Sequence, residues 1–430
     1  MELVILLCFC AALVICLILD VSLIYALLAG VVLFCIYGLR KGFGPRELGK
    51  MLWSGVSTIK GILVVFVLIG MLTGLWRRCG TIPVIITYAA RLIRPNTLLL
   101  MTFLLCCGVS VLTGTSFGTA ATMGVICMTM GATMGADPAW MGGAILSGAF
   151  FGDRCSPVST SALLVSQLTH TTIFDNIKKM VKTAVVPFLL CCGIYALAGR
   201  SMTSGVYDTD LAAVFGRELV LHPAAVLPAA AILLLSAFRV HVRIAMLVSI
   251  VVSVIVCLLI QPHSLASLPA VMLLGYEAAD AEVASLLNGG GVLPMVKIMA
   301  IVCISSSYAG IFRGTGLLDG IKEKLSTVSR YLSPFGTVLL TSAVTAMIAC
   351  NQTLAIMLTH QLCRQLEPDD VTMAIHLENS AVVVAPLVPW SIAGAVPLAT
   401  LGAPTASLLA ACFLYILPLW TLLRSRKHCS

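Results

Sequence analysis

The residues best suited to chemistry lie in a stretch from Thr113 to Ser161 that is otherwise apolar enough for a bilayer. It holds the hydroxyls of Thr113, Thr115 and Ser116 at a glycine-rich break, and the carboxylate of Asp153 in the run FFGDRCSP. Helix breaks at membrane depth survive only where they line a protein cavity or a water-filled site. Hydroxyls and freed carbonyls there are hard oxygen ligands, which predicts a site for a small cation or a carboxylate-bearing solute.

Asp153 is the central candidate because an intramembrane carboxylate indicates a functional site. A buried carboxyl group can hold either a proton or a cation near neutral pH, and exclusion of one by the other is the simplest chemistry for exchange. The neighbouring Arg154 leaves open a structural ion pair instead. The hydroxyls that follow in the same run are further candidate ligands: Ser156, Ser159 and Thr160.

A second polar group lies far along the chain, around Glu378 in HLENSAVVVAPLVPWS. Glu378 is the second intramembrane carboxylate and, with Asp153, a candidate proton carrier. The neutral candidates for binding are Asn351, Gln352, Thr353, Asn379 and Ser380. His376 is an additional candidate proton carrier, although a lone histidine near a helix end is more often a packed or interfacial residue.

The composition places these residues in an integral membrane protein. Of 430 residues, 60% are hydrophobic and only 10% are charged, with a mean hydropathy of +1.06. The net charge of +8 comes from short basic clusters between apolar runs. Such clusters set the orientation of a polytopic protein, so nucleic-acid binding is not expected. The 17 cysteines have neither zinc-site spacing nor the pattern of a secreted disulfide framework.

The apolar runs predict about ten membrane-spanning helices, each of about 20 residues, and two re-entrant hairpins. The predicted parts are scaffold spans at 1–58, a first repeat at 59–199 with a hairpin at 97–134 and a broken helix at 140–169, a linker at 200–222, scaffold spans and a loop at 223–296, and a second repeat at 297–423 with a hairpin at 336–364 and a broken helix at 371–397. Two short pieces, 82–94 and 317–331, are expected to be interfacial. The distribution of basic residues predicts that both termini are cytoplasmic.

An internal repeat supports this division. Gly74-Leu75-Trp76-Arg77 reappears in the second half as Gly310-Ile311-Phe312-Arg313, and the same offset places Thr115-Ser116 on Asn351-Gln352. Ser156-Pro157 then pairs with Ala385-Pro386 at a slightly shorter offset. The span count gives the halves opposite orientations, and inverted repeats with discontinuous helices are typical of secondary transporters with a site near the midplane. Chance matching of glycines and aromatic residues, which are common in membrane helices, is the alternative.

These motifs carry a resemblance to a known family. TGTSFGT, GAFFGDRCSPVS and LENSAVVVAPLVPWSIAGA resemble the signature segments of the NhaC family of Na+/H+ antiporters in the ion transporter superfamily, over residues 55 to 423. The resemblance implies a multi-pass secondary carrier of the bacterial cytoplasmic membrane that couples Na+ and H+ movement. It also implies a scaffold and a moving domain, often in a homodimer, and some members carry organic acids such as malate and lactate, or amino acids.

Two positions depart from the pattern that the family is expected to show. Where the family resembles GDKMSPLSDTT this chain has Thr160 in place of an acid, and where it resembles LEDS this chain has Asn379. The remaining acids, Asp153 and Glu378, could hold one monovalent cation. Because this site has fewer acidic residues than the family pattern, a solute carrier in which the cation is a cosubstrate or absent becomes a stronger alternative.

The leading hypothesis remains Na+/H+ antiport, with Na+ held at Asp153, Thr115 and Ser116. The runner-up is Na+- or H+-coupled transport of an organic acid or amino acid. No cofactor is expected beyond the transported ions, and the partners are lipid and a small ion or solute. A channel would need a continuous pore and usually a filter ring. Catalysis is disfavoured because the sequence has no HExxH or P-loop motif.

Overall fold

The computed structural model describes residues 23–57, 59–92, 94–157, 159–202, 211–238, 240–261, 267–316, 332–367 and 369–426, together with Ile5, Cys8, Phe9, Ala11, Ala12, Ile15 and Cys16. Three sequence expectations fall mainly or wholly outside these residues. They are the interfacial piece at 317–331 and two features that the apolar runs of the region 1–58 also predict, a first span at 3–19 and a tight turn at Asp20.

The described residues are almost entirely helical, and their only β-pairing is an isolated bridge between Tyr276 and Gly289. This confirms the all-helical fold class. The helices run Leu23–Arg40, Pro45–Ser57, Lys60–Arg78, Thr81–Leu92, Leu98–Thr113, Ser116–Thr119, Val125–Thr133, Pro138–Cys155, Thr160–Leu168, Ile173–Met202, Leu211–Phe215, Leu227–Ala237, Val242–Ile260, Leu268–Leu274, Ala281–Leu287, Val292–Thr315, Pro334–Ala349, Gln352–Cys363, Asp370–Glu378, Ala381–Val384, Ile392–Leu401, Ser407–Ala410 and Cys412–Arg426.

Several of these helices are suited to a bilayer. Four are long and apolar enough to cross one, namely Pro95–Thr113, Ile173–Arg200, Arg243–Ile260 and Val292–Phe312. Two bent pairs, Leu63–Arg78 with Thr81–Ala89 and Asp370–Leu387 with Ile392–Leu401, raise the number to six if each pair is one span. The described chain is thus that of a multi-pass membrane protein, while the total of about ten spans, at about 20 residues each, stays a prediction.

Two helices differ from the sequence expectation. Within the first repeat the sequence also predicts a span at 183–199, preceded by Lys178, Lys179 and Lys182. In the structure this span is part of one longer helix, Ile173–Met202, which already contains the three lysines. These three lysines are exposed, so the basic cluster forms the polar start of this helix rather than a loop before it. Helix Pro45–Ser57 was not expected. It begins with proline at its first position and with a bond from the Gly44 amide to the Glu47 carboxylate.

The two helix breaks at the expected hairpins have the same backbone conformation. At the first, Gly114 is left-handed (φ 65°) and Thr115 is extended (φ −141°, ψ 129°). At the repeat-related second break, Cys350 is left-handed (φ 54°) and Asn351 is extended (φ −146°, ψ 128°). In each case the extended residue caps the next helix, because the Thr115 hydroxyl accepts from the Gly118 amide and the Asn351 side chain accepts from the Thr353 amide.

The broken helices match at their second segments. Ser159 and Ser391 both precede a helix in nearly the same conformation, φ −68° and −72°, and both accept a bond from that helix's first amides. This correspondence aligns Pro157 with Pro389. It favours Pro389 over the sequence pairing of Pro157 with Pro386, because a helix start is a sharper marker than a proline alone.

Two pairs of helices pack across the two halves of the chain through glycine. Helix Val292–Thr315 lies against Pro45–Ser57, and a Cβ built on Gly310 would overlap the Met51 carbonyl oxygen. Helix Lys60–Arg78 lies against Leu268–Leu274, and a Cβ on Gly74 would be 2.7 Å from the Val271 carbonyl oxygen. Gly74 and Gly310 are the repeat-related glycines, so each lets its helix approach an element from the other half.

The Gly310 contact predicts a stability effect. Gly310→Ala should lower the free energy of unfolding by about 1–3 kcal/mol, because the new methyl group must push Met51 and its helix away. The measurement is thermal unfolding in detergent micelles. Gly193→Ala is the matched control, since a Cβ there meets no described atom within 4 Å. Equal melting temperatures for the two variants would contradict the close approach.

Candidate functional site

The helix that carries Asp153 is held against the first break by small residues. A Cβ on Gly152 would overlap the backbone of Ser110 and Val111, so helices Leu98–Thr113 and Pro138–Cys155 touch almost backbone to backbone. The Ser110 hydroxyl donates to the Ala149 carbonyl, and the Ser156 hydroxyl donates to the Val111 carbonyl at 2.7 Å. The last turn of the Asp153 helix is therefore fixed beside the first break.

The Asp153 carboxylate joins the two halves of the chain. It is 3% exposed, in the last turn of its helix. Its Oδ1 accepts from the Ser159 hydroxyl at 3.1 Å, and its Oδ2 accepts from the Gln352 amide at 3.4 Å. The same Gln352 nitrogen donates to the Val382 carbonyl at 2.9 Å. Because Gln352 directly follows the second break, this bond brings the start of helix Gln352–Cys363 to the carboxylate.

Arg154 is fully buried, and its guanidinium group makes its hydrogen bonds with groups other than Asp153. It donates to the Met180 carbonyl at 3.1 Å, to the Thr183 hydroxyl at 2.9 Å and to the side-chain oxygen of Asn379. Asn379 in turn donates to the Thr421 hydroxyl at 3.1 Å. The structure therefore does not contain the alternative, a direct Asp153–Arg154 ion pair, because each side chain makes its hydrogen bonds to other residues.

Glu378 lies next to this group. It is fully buried, and neither carboxylate oxygen has a hydrogen-bond partner among the described residues. Arg154 and Asp153 are both near enough to interact with it electrostatically. Two carboxyl groups and one guanidinium group therefore share a buried region where helix Pro138–Cys155 ends and helix Asp370–Glu378 ends.

Comparison with known proteins identifies the family of this chain. The chain matches the Na+/H+ antiporter family over residues 2–170 and 151–423. It belongs to that family.

Individual relatives are similar to this chain over most of its length and of their own. The malate-2H+/Na+-lactate antiporter of Bacillus subtilis is 26% identical over 91% of this chain and 86% of its own. The Na+/H+ antiporter NhaC of the same organism is 27% identical over 92% of this chain and 90% of its own. A Na+/H+ antiporter of Haemophilus influenzae, itself uncharacterized, is 29% identical over 81% of this chain and 78% of its own. The resemblance to NhaC proteins found in the motifs is thereby confirmed.

The threonine hydroxyls at the first break make their hydrogen bonds to groups near the break. Thr113 and Thr119 share a hydrogen bond of 3.1 Å, and Thr115 is occupied as a helix cap. Ser116 is buried at the start of the following helix. The structure records no direct bond from Thr115 or Ser116 to Asp153 within the described chain, and a shared Na+ site of the three stays a prediction.

Other expected residues lie around the carboxylates at different depths. Thr160 and Thr353 are exposed at the first turns of their helices, and Asn351 is half-buried. The Ser380 hydroxyl is buried and donates to the His376 carbonyl at 2.6 Å. The His376 ring packs edge-on against Phe335, with ring centroids 5.1 Å apart. The structure thus brings Asp153, Ser159 and Gln352 into direct contact and leaves Thr160 and Thr353 at the surface.

Several partners of this group were not predicted from the sequence. Ser161 bonds both Ser159 and the Asp153 carbonyl, at 2.9 and 3.0 Å. Its place in the run SPVSTS could have identified it. Thr183 and Thr421 come from distant helices that carry no motif, so only the packing reveals them. Val382 lies within the run HLENSAVVVAPLVPWS, but its backbone carbonyl gives no signal in the residue type.

The bond between Arg154 and Asn379 predicts a specific loss of stability. Asn379→Leu should lower the free energy of unfolding by about 1–3 kcal/mol or more, because a buried charged donor loses its acceptor. Thr421→Val is the control, since it removes one neutral acceptor and leaves the guanidinium bonded. Thermal unfolding in detergent should rank Asn379→Leu well below Thr421→Val. The reverse order would show that the guanidinium does not depend on Asn379.

Proposed function

We propose that the protein is a secondary active transporter that exchanges Na+ for H+ across the bacterial cytoplasmic membrane by alternating access. Its family membership supports the class of reaction. The observation that carries the mechanism is the position of Asp153, a buried carboxylate that contacts Ser159 on one side and Gln352, just after the second break, on the other. We expect both termini to be cytoplasmic.

Exchange at Asp153 needs only groups already in contact with it. In the proton-loaded state the carboxyl group is neutral. In the Na+-loaded state the carboxylate and the Ser159 hydroxyl supply hard oxygen ligands, and rotation of the Gln352 amide would present its oxygen in place of its nitrogen. Since one carboxylate cannot hold both ions, binding of Na+ releases H+ and binding of H+ releases Na+.

Alternating access would follow from the repeated halves. We propose two inverted repeats, each with a re-entrant hairpin and a broken helix, held by scaffold spans. The matching breaks at Gly114-Thr115 and Cys350-Asn351 support the repeat, and the glycine contacts of Gly74 and Gly310 support a scaffold exchanged between halves. Gln352 and Asp153 belong to different repeats, so a rocking motion of one against the other would change the site's exposure.

A second candidate is transport of an organic acid or amino acid coupled to Na+ or H+. A fully buried guanidinium group at Arg154, with the neutral Asn379 as its acceptor, is the observation that favours it. A substrate carboxylate could compete with Asn379 for that guanidinium group. The relative that is named a malate-2H+/Na+-lactate antiporter fits this candidate.

Flux measurements decide the primary proposal. In proteoliposomes loaded with a pH-sensitive dye, a Na+ gradient should drive proton movement in the opposite direction. Asp153→Asn should abolish it, because the amide cannot exchange a proton. Asp137→Asn is the matched control: it removes a carboxylate from the exposed start of the same helix, and asparagine retains the helix cap.

Full Na+-driven proton flux in Asp153→Asn would contradict the assignment. Proton movement that requires an added hydroxy acid or amino acid, and not Na+ alone, would instead favour the second candidate. Loss of flux in both Asp153→Asn and Asp137→Asn would show that the helix, and not the buried carboxylate, is being perturbed.

A further inference from the structure

One face of helix Pro45–Ser57 is exposed and basic. Arg46, Lys50 and Trp53 follow one another at intervals of four and three residues, a spacing that puts side chains on one stripe of a helix. All three are exposed, Trp53 to 66%. The helix therefore presents two cations and an indole ring to its surroundings rather than to the protein interior.

The opposite face fixes the orientation of this helix. Leu48, Met51 and Gly55 lie there at intervals of three and four residues, and Leu48 is buried. The Met51 carbonyl lies against Gly310, and a Cβ on Gly55 would overlap the Ser306 carbonyl. Contacts this close leave the helix no room to rotate about its axis, so the exposed stripe keeps facing outward.

The charge around this stripe is mostly positive. The segment from 40 to 50 has four basic residues, all exposed, which are Arg40, Lys41, Arg46 and Lys50. Its one acid is Glu47, whose carboxylate accepts a bond from the Gly44 amide at 2.9 Å. Within the described chain, Arg46 and Lys50 form no ion pair. Their charged groups are therefore open to an anionic partner.

An apolar stripe leads to these charges along the preceding helix, Leu23–Arg40. Its exposed apolar residues on one side are Leu28, Val32, Ile36 and Leu39. In a bilayer, an exposed apolar stripe lies against the acyl chains. The basic residues begin one position after the stripe ends. A phospholipid would meet these groups in the same order, acyl chains first and headgroup next, and tryptophan is enriched at that boundary.

We propose that Arg46, Lys50 and Trp53 bind the anionic headgroups of phospholipids, in the leaflet that the sequence predicts to be cytoplasmic. The guanidinium and ammonium groups donate to phosphate oxygens, and the indole ring lies at the boundary between headgroups and acyl chains. A soluble polyanion could use the two charges, but not the apolar stripe or the indole ring. The proposal does not depend on which ions or solutes the protein transports.

Quenching of tryptophan fluorescence by brominated lipids measures which lipids lie next to Trp53. The protein is placed in phosphatidylcholine nanodiscs that contain the same minor mole fraction of either brominated phosphatidylglycerol or brominated phosphatidylcholine. Subtraction of the Trp53→Phe signal isolates Trp53 from the other tryptophans. Phosphatidylglycerol should quench Trp53 more strongly at low salt, and high salt should reduce the difference because it screens the charges. Equal quenching by the two lipids at low salt would overturn the proposal.

Removal of the two charges tests their role. Near a membrane surface, each Lys or Arg changes the binding of anionic lipid by roughly fivefold. Arg46→Gln with Lys50→Gln should therefore lower the enrichment of phosphatidylglycerol beside Trp53 by about tenfold or more. The matched control is Lys178→Gln with Lys179→Gln, which removes two exposed lysines on the same predicted side and should leave the enrichment unchanged. Equal losses in the two double variants would overturn the assignment to this face.

Thermal unfolding provides a second readout that does not depend on fluorescence. Added phosphatidylglycerol should raise the melting temperature of the wild type in detergent micelles, and raise it less in the variant that lacks both Arg46 and Lys50. Soluble polyphosphate that stabilises the wild type as much as phosphatidylglycerol does would overturn the choice of a lipid partner. Without added lipid the double variant should melt close to the wild type, because both positions are exposed. If it does not fold, the lipid and salt dependence of quenching in the wild type still decides the proposal.

Discussion

The cost of placing broken helices and charged groups in apolar surroundings governs this structure. An ionised side chain or an unpaired backbone group away from water costs several kcal/mol, so it persists only where the protein supplies partners. The chain meets this requirement at its own breaks. The Ser156 hydroxyl bonds the Val111 carbonyl near the first break, and the Ile392 amide bonds the Cys350 carbonyl at the second. Glu378, which has no hydrogen-bond partner among the described residues, stands out against this background.

The same constraint explains why glycine and serine are concentrated around Asp153. Gly148 and Gly152 let the Asp153 helix approach helix Leu98–Thr113 at backbone distance. Short hydroxyl side chains then reach carbonyls that larger residues would cover. The result is a carboxylate that is buried and yet lies close to two breaks, each of which is capped by its own extended residue.

The sequence was most informative where a backbone requirement leaves few residue choices. The breaks after Thr113 and Ala349 were predicted from glycine, asparagine and clustered hydroxyls, and the structure has them within a residue or two. The repeat seen in the sequence is matched by the backbone angles at both breaks. Boundaries set by tertiary packing were less accurate. The span predicted to begin at residue 183, after three lysines, belongs to a helix that begins at Ile173 and includes those lysines.

Side-chain partners were the hardest part to predict, because they depend on which distant helices meet. Asp153 and Gln352 were both candidates, yet nothing in the sequence indicates that they touch. Arg154 was considered as the partner of its neighbour Asp153. On a helix, adjacent residues point in different directions, and the guanidinium group instead reaches Thr183 and Asn379.

The central claim is that Na+ and H+ compete for the Asp153 carboxyl group. Infrared difference spectroscopy of the purified protein tests it directly, since a protonated carboxyl group has a C=O band that a carboxylate lacks. Addition of Na+ should remove one such band and release one proton per chain, and both changes should be absent in Asp153→Asn. Binding of Na+ with no loss of a carboxyl band and no proton release would contradict the account.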